Sequence, residues 1–187
     1  MSFLQKKNYY NIMEINLKDL IINPGLVTIK DKILLSGTIY TVRDIAHKKI
    51  TEILDSNEPH KLPFALLNSA IYYCGPTPAK PGSIIGACGP TTSKRMDFFT
   101  PKLLKNGVKF LIGKGDRSRT VINSIKEKEA LYFVATGGIA ALLARTVKKI
   151  ELIAFKNLGP EAIYKLEVKN MPLIVAIDSF GKNIFNR

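Results

Sequence analysis

Residues 33–57 read ILLSGTIYTVRDIAHKKITEILDSN, and the apolar period changes partway along. Ile33 to Tyr40 is rich in strand formers and is interrupted by Gly37, which inside a strand marks a bulge or a close backbone approach. From Ile45 onward, Ile45, Ala46, Ile50, Ile53 and Leu54 fall at helical spacing, up to the polar Asp55-Ser56-Asn57. Between the two lies Thr41-Val42-Arg43-Asp44, where Thr41 and Asp44 have the form of a capping box. A strand therefore turns sharply into a helix, with Arg43 and Asp44 near the positive end of the helix dipole.

The same transition recurs downstream. Ile71–Cys74 and Ser83–Ala87 read as short strands on either side of the proline-rich loop GPTPAKPG. Met96–Lys105 reads as a helix stopped by Asn106-Gly107. Val108–Ile112 reads as a strand, Thr120–Lys128 as a helix and Leu131–Ala135 as a strand, and Gly137-Gly138 opens the small-residue helix IAALLARTV. Three strands follow, at Ile150–Phe155, Ala162–Val168 and Leu173–Asp178, before a turn at Gly181-Lys182-Asn183. In the first thirty residues the one clear signal is the turn Asn23-Pro24-Gly25. Alternating strands and helices followed by clustered strands predict an α/β fold with a mixed sheet, as a single domain over residues 1–187 without a linker.

Lysine and arginine number 28 against 15 aspartates and glutamates, a net charge of +13 that points to anionic ligands or an acidic partner. The basic residues are mostly scattered lysines and the aromatics lie in strands, so the interleaved arginine and aromatic pattern of a nucleic-acid surface is missing. Two cysteines, Cys74 and Cys88, are too few for a disulfide framework and imply a reducing compartment. The first residues, MSFLQKKNYYNIMEI, hold no long apolar stretch of a secretory signal. Leu131–Ala144 is broken at Thr136-Gly137-Gly138 and is too short to span a bilayer, so a soluble cytoplasmic protein without a membrane partner is expected.

Chemistry concentrates at the strand-to-helix junctions TVRD (41–44), GPTTSKR (89–95) and GKGDRS (113–118). Backbone N–H groups left unpaired at such turns favour anions. Each junction brings a cation, Arg43, Arg95 or Lys114, and the second adds the hydroxyls of Thr91 and Thr92. Converging on one place, these groups suit a small dicarboxylate or a phosphate. His47 lies one helical turn after Arg43 and Asp44 and shares their face. GxxxxGK[ST] and GxGxxG are both absent. Cys74, Cys88, His47 and His60 lack metal-ligand spacing, so no metal ligand is assigned.

GTIYTVRDIAHKKI, YYCGPTPAKPG, GACGPTTSKRMD, GKGDRS and GPEAIYKLEV, in this order from about Leu34 to Phe185, resemble the class I fumarase family. The match is to its β subunit, equivalent to the C-terminal domain of single-chain members, with the L(+)-tartrate dehydratase β subunit as a close relative. The resemblance implies a swivelling β/β/α domain and reversible hydration of fumarate to malate. It implies a 4Fe-4S cluster bound by a partner α subunit rather than by this chain, and an α2β2 assembly. It places Arg43, Arg95 and Lys114 on the substrate carboxylates and Thr91 at a proton-transfer step, with Asp44, His47, Thr92 and Asp116 in support. Asp116 stands where many members have asparagine, and a carboxylate there is placed to pair with Lys114 or Arg117. Two readings stay open beside fumarate hydration: a tartrate or other hydroxy-dicarboxylate dehydratase, and a non-catalytic anion- or RNA-binding module.

Overall fold

Ile33, Leu35 and Ile39 are buried, as alternation along a strand with one face in the core requires. They belong to β2 (Lys32–Thr41). The computed structural model describes residues 12–135 and 138–186. β2 runs parallel to β3 (Ala70–Tyr72), β3 to β4 (Phe110–Gly113), and β4 to β5 (Leu131–Val134). The long β7 (Ile163–Ile177) runs antiparallel to β5 and returns to β2, so these five strands close into a ring. β1 (Ile12–Asn16) lies parallel beside β2, and β6 (Val147–Ala154) lies antiparallel beside β7. The sheet is mixed and the fold is α/β.

Neighbouring residues of the ring strands go to different cores. Tyr72, Phe110, Ile112, Leu131 and Phe133 join one apolar cluster with Ile33, Leu35 and Val175. Ile71, Leu111 and Tyr132 join the other, with Ala46 and Ile50 of α2 (Asp44–Asp55), Leu103 and Leu104 of α3 (Thr100–Lys105), and Val121 and Ile125 of α4 (Arg119–Glu127). Helices α2, α3 and α4 therefore cover the outer face of the ring. Because β2 to β5 are parallel, the junctions that follow β2 and β4 open at the same end. The antiparallel β7 brings the residues that precede it to that end as well.

Several elements depart from the sequence reading. β1 and α1 (Leu17–Ile22) occupy a stretch that reads only as mixed polar and apolar. Asn16 and Asp19 close a capping box there, while Met13 and Ile15 are buried. Thr41 and Asp44 form no such box. Thr41 is still part of β2, and its hydroxyl accepts from the Tyr164 N–H at 3.0 Å, on β7. The strand expected at Ser83–Ala87 is absent. The chain between Pro76 and Ala87 instead folds back on itself, with Thr77 N–H bonded to Ala87 O at 3.0 Å and Gly86 N–H to Thr77 O at 3.2 Å. Its apolar pair Ile84-Ile85 is too short to pay out into a ladder between glycines.

The helix expected at Met96–Lys105 is divided into a 3-10 turn, Ser93–Met96, and α3, because Pro101 fits only at the start of a helix. At the C-terminal end, one continuous β7 replaces the two strands expected at Ala162–Val168 and Leu173–Asp178. Asn170 adopts φ 57° without ending the strand, and its N–H donates to Ser36 Oγ at 3.0 Å. The bulge expected at Gly37 is present: the β2–β7 register shifts between Leu35 and Gly37, where a side chain on Gly37 would press on Leu17. Thr136 and Gly137 lie outside the described residues, and α5 (Ala140–Thr146) covers most of the helix expected after them.

Candidate functional site

Arg43 lies two residues past the end of β2 and is the N-cap residue of α2, while Arg95 lies in the 3-10 turn that closes the second junction. Arg95 Nη2 donates to Thr91 Oγ1 at 2.9 Å and to Asp44 Oδ2 at 3.1 Å. Arg43 Nη2 lies 3.9 Å from the same Asp44 oxygen and 3.5 Å from Glu161 Oε1. Arg43, Asp44, Thr91 and Arg95, expected together from their junctions, thus form one connected charged cluster. The Arg95 side chain is 50% exposed and that of Arg43 25%, so both cations sit at the surface of the ring's open end. Thr91 is held by its backbone, its N–H donating to Tyr73 O at 2.7 Å.

Lys114 reaches the same neighbourhood through its backbone. Thr92 and Lys114 pair as a parallel bridge, Ser93 N–H donates to Lys114 O at 3.0 Å, and Lys114 N–H donates to Ser93 Oγ at 2.9 Å. The Lys114 side chain is exposed and makes no hydrogen bond or ion pair among the described residues, and neither does the Thr92 hydroxyl. The Tyr132 hydroxyl ties the two loops from below, 2.9 Å from Ser93 Oγ and 2.7 Å from Gly115 O. Gly113 is required at this seam, because a Cβ there would stand 1.9 Å from Ser93 Oγ.

Asp116 is not part of the cluster. Its Oδ1 accepts from its neighbour's backbone, Arg117 N–H at 2.7 Å, and from Asn183 Nδ2 at 3.2 Å. The expected side-chain pairing with Lys114 or Arg117 does not form, because the C-terminal turn captures the carboxylate. The Arg117 guanidinium turns inward instead. Its Nε donates to Asp97 Oδ1 at 2.7 Å, and it also reaches the Tyr73 hydroxyl and Thr100 Oγ1. Asp97 Oδ2 accepts from Ser118 N–H at 2.6 Å. This buried pair fastens the second junction to the third. Sequence reasoning passed over Asp97, Ser93, Tyr132 and Glu161, and named Arg117 only as a partner for Asp116. The available signal was opposite charge within two adjacent junction motifs, Asp97 closing SKRMD and Arg117 within GKGDRS.

His47 is fully buried beneath Arg43. Its Nδ1 donates to Arg43 O at 2.8 Å, its Nε2 has no partner, and its ring packs against Tyr73 and Phe99. It therefore supports the Arg43 backbone rather than the guanidinium. Burial lowers its pKa from 6.5 to about 4. The unfolded chain then binds a proton that the folded chain refuses, so stability is complete above pH 6.5 and is lost as pH falls towards 4. Between pH 7 and 4.5 this group alone is expected to remove about 2–3 kcal/mol. His47→Asn, which retains an N–H donor for Arg43 O, is expected to lose correspondingly less stability over that interval in urea unfolding. Equal acid losses in the two proteins would rule this out.

Cys74 and Cys88 are free and buried, with their sulfurs 3.1 Å apart. The Cys88 thiol and burial push Cys74 up, so Cys74 is held protonated. Two buried cysteines facing each other are too few for cluster ligation, which takes three or four. Among the described residues no group of three or more His, Cys, Asp or Glu side chains is arranged to hold a metal ion. None of the described helices is long and apolar enough to cross a membrane.

The sequence that builds these junctions has counterparts in known proteins. The family model for the fumarase C-terminus matches residues 3–187. The putative L(+)-tartrate dehydratase subunit beta of Methanocaldococcus jannaschii is 43% identical over 161 residues, which cover 83% of this chain and 82% of that one. Fumarate hydratase 2 of Leishmania major is 37% identical over 158 residues, 83% of this chain but 28% of that protein. The aerobic class I fumarate hydratase of Escherichia coli is 34% identical over 173 residues, 91% of this chain and 31% of that protein. The chain thus spans less than a third of these fumarate hydratases and most of the tartrate dehydratase subunit. With the family model matched from residue 3 to 187, the chain belongs to the fumarase C-terminus family.

Proposed function

We propose that this chain is the β subunit of an iron–sulfur hydro-lyase that reversibly hydrates fumarate to malate, and that it supplies the grip on the substrate's carboxylates. The observation that carries this reading is the contact of Arg95 Nη2 with both Thr91 Oγ1 and Asp44 Oδ2, beside Arg43. Arg43 and Arg95 present guanidinium forks that match carboxylate geometry, and Lys114 adds a mobile point charge. As a proton leaves the carbon next to a carboxylate, negative charge spreads onto that carboxylate, and these cations are placed to stabilise it. Arg95 donates to Thr91 Oγ1, which favours the deprotonated oxygen, the direction that proton abstraction requires. Asp44 orients both arginines, and His47 holds the Arg43 backbone from beneath. Thr92 borders the grip, and Asp116 is left to the C-terminal turn.

The reading assigns the 4Fe-4S cluster to a partner α subunit, in an α2β2 cytoplasmic assembly, with this chain folding as one domain. Tartrate or another hydroxy-dicarboxylate is the second reading, favoured by the 43% identity to a putative tartrate dehydratase β subunit. The test is reconstitution. This chain and a candidate α subunit are co-expressed, the cluster is assembled anaerobically, and fumarate formation from malate is followed by ultraviolet absorbance. Activity confined to the mixture is the expected result. An intact complex that is inactive on malate but active on tartrate selects the second reading. Failure of the two chains to associate overturns the heteromeric assignment and returns the non-catalytic anion-binding reading.

A further inference from the structure

Arg43 caps α2 by position, yet its side chain makes no cap bond. The acceptor comes from far along the chain. Glu161 Oε2 accepts from Ile45 N–H at 2.9 Å, in the first turn of α2, and Glu161 Oε1 lies 3.5 Å from Arg43 Nη2. One carboxylate therefore holds both the helix start and the guanidinium. Its side chain is 19% exposed, which shields the pairing more than a fully solvated one.

The backbone around Glu161 is built to present it there. It ends the 3-10 segment Lys156–Glu161, in which Gly159 takes φ 55° and ψ −119° ahead of Pro160, and the next residues, Ala162 and Ile163, are buried. On the other side Gly75 lets the arginine lie flat. A Cβ on Gly75 would stand 2.6 Å from Pro160 O and 2.8 Å from Arg43 Nη1. Asp44 and Glu161 both engage Nη2, Nε is buried without a partner, and Nη1 makes no hydrogen bond among the described residues.

We propose that Glu161 is a positioning residue for the hydration reaction, fixing the Arg43 guanidinium so that its uncommitted Nη1 meets a substrate carboxylate. This rests on the reading of Arg43 as a carboxylate-binding residue. Glu161→Gln separates the two tasks, because its amide oxygen still accepts from Ile45 N–H while the charge facing Arg43 is gone. Loss of a partly shielded ion pair in front of a binding group raises KM with little change in kcat.

The experiment has two readouts. In the assembled αβ enzyme, Glu161→Gln is expected to raise KM for malate about three- to tenfold with kcat within about twofold, and Glu161→Ala to lower the melting temperature as well. In the ¹⁵N-labelled full chain, the Arg43 Nε–H signal, assigned by its loss in Arg43→Lys, is expected to show a lower heteronuclear NOE in Glu161→Gln than in wild type. An unchanged NOE overturns the proposal, as does an active complex with unchanged KM. A complex inactive on every dicarboxylate tested removes the hydro-lyase reading instead, and the NOE then still decides whether Glu161 fixes Arg43.

Discussion

Arg95→Ala is expected to lower kcat/KM of the assembled enzyme by about a hundred- to a thousandfold while leaving the fold in place. The size follows from a charged fork that contacts an anionic ligand directly, where truncating one partner of a hydrogen-bonded charge pair costs about 2–5 kcal/mol. The selectivity for function follows from exposure. The Arg95 side chain is 50% exposed, and its protein partners, Thr91 and Asp44, also face the open end of the ring. Its removal strands no buried charge, so urea midpoints are expected to move little. Arg95→Lys restores the charge but not the fork and is expected to fall between the two. Steady-state kinetics on malate and fumarate, with unfolding curves for each variant, test this. An alanine variant within threefold of wild type would show that the second junction does not hold substrate.

Arg117→Met is expected to act in the opposite way, by destabilising the chain by about 3–5 kcal/mol. The Arg117 side chain is fully buried and pairs with an Asp97 side chain that is 12% exposed. It also lies 5.2 Å over the Tyr73 ring and 5.1 Å over the Tyr132 ring. Methionine fills much of the volume but leaves the Asp97 carboxylate buried opposite an apolar chain, and that uncompensated charge carries the cost. A double-mutant cycle with Asp97→Asn separates the pair from the packing. A coupling above about 1 kcal/mol in urea unfolding is expected, and additivity within about 0.5 kcal/mol would assign the loss to packing alone.

These two arginines also show how far the site was legible. Arg95 stands in a turn rich in hydroxyls and small residues just before a helical segment, and that local chemistry marks it as a candidate anion ligand. Arg117 stands in an equally polar motif, GKGDRS, yet it points into the core. Its partner Asp97 lies 20 residues earlier, and nothing in the local pattern distinguishes the cation that faces solvent from the one that does not. Asp116 shows the same limit from the other side. Its charge invites a lysine partner beside it, but Asn183, 67 residues away, reaches it.

The alternation of strand and helix, the mixed sheet and the order of the cation-bearing junctions were determined by the sequence alone. Each depends on period and turn chemistry within some ten residues, where the physics is local. The capping of α2 shows what lies beyond that range. Thr41 and Asp44 have the right types and spacing for a box, but strand pairing claims the Thr41 hydroxyl, and the helix takes its acceptor from Glu161, 116 positions away. Only the tertiary structure decided that exchange, along with closure of the ring through β7 against β2, because both rest on hydrogen bonds between segments whose separation along the chain leaves no periodic trace.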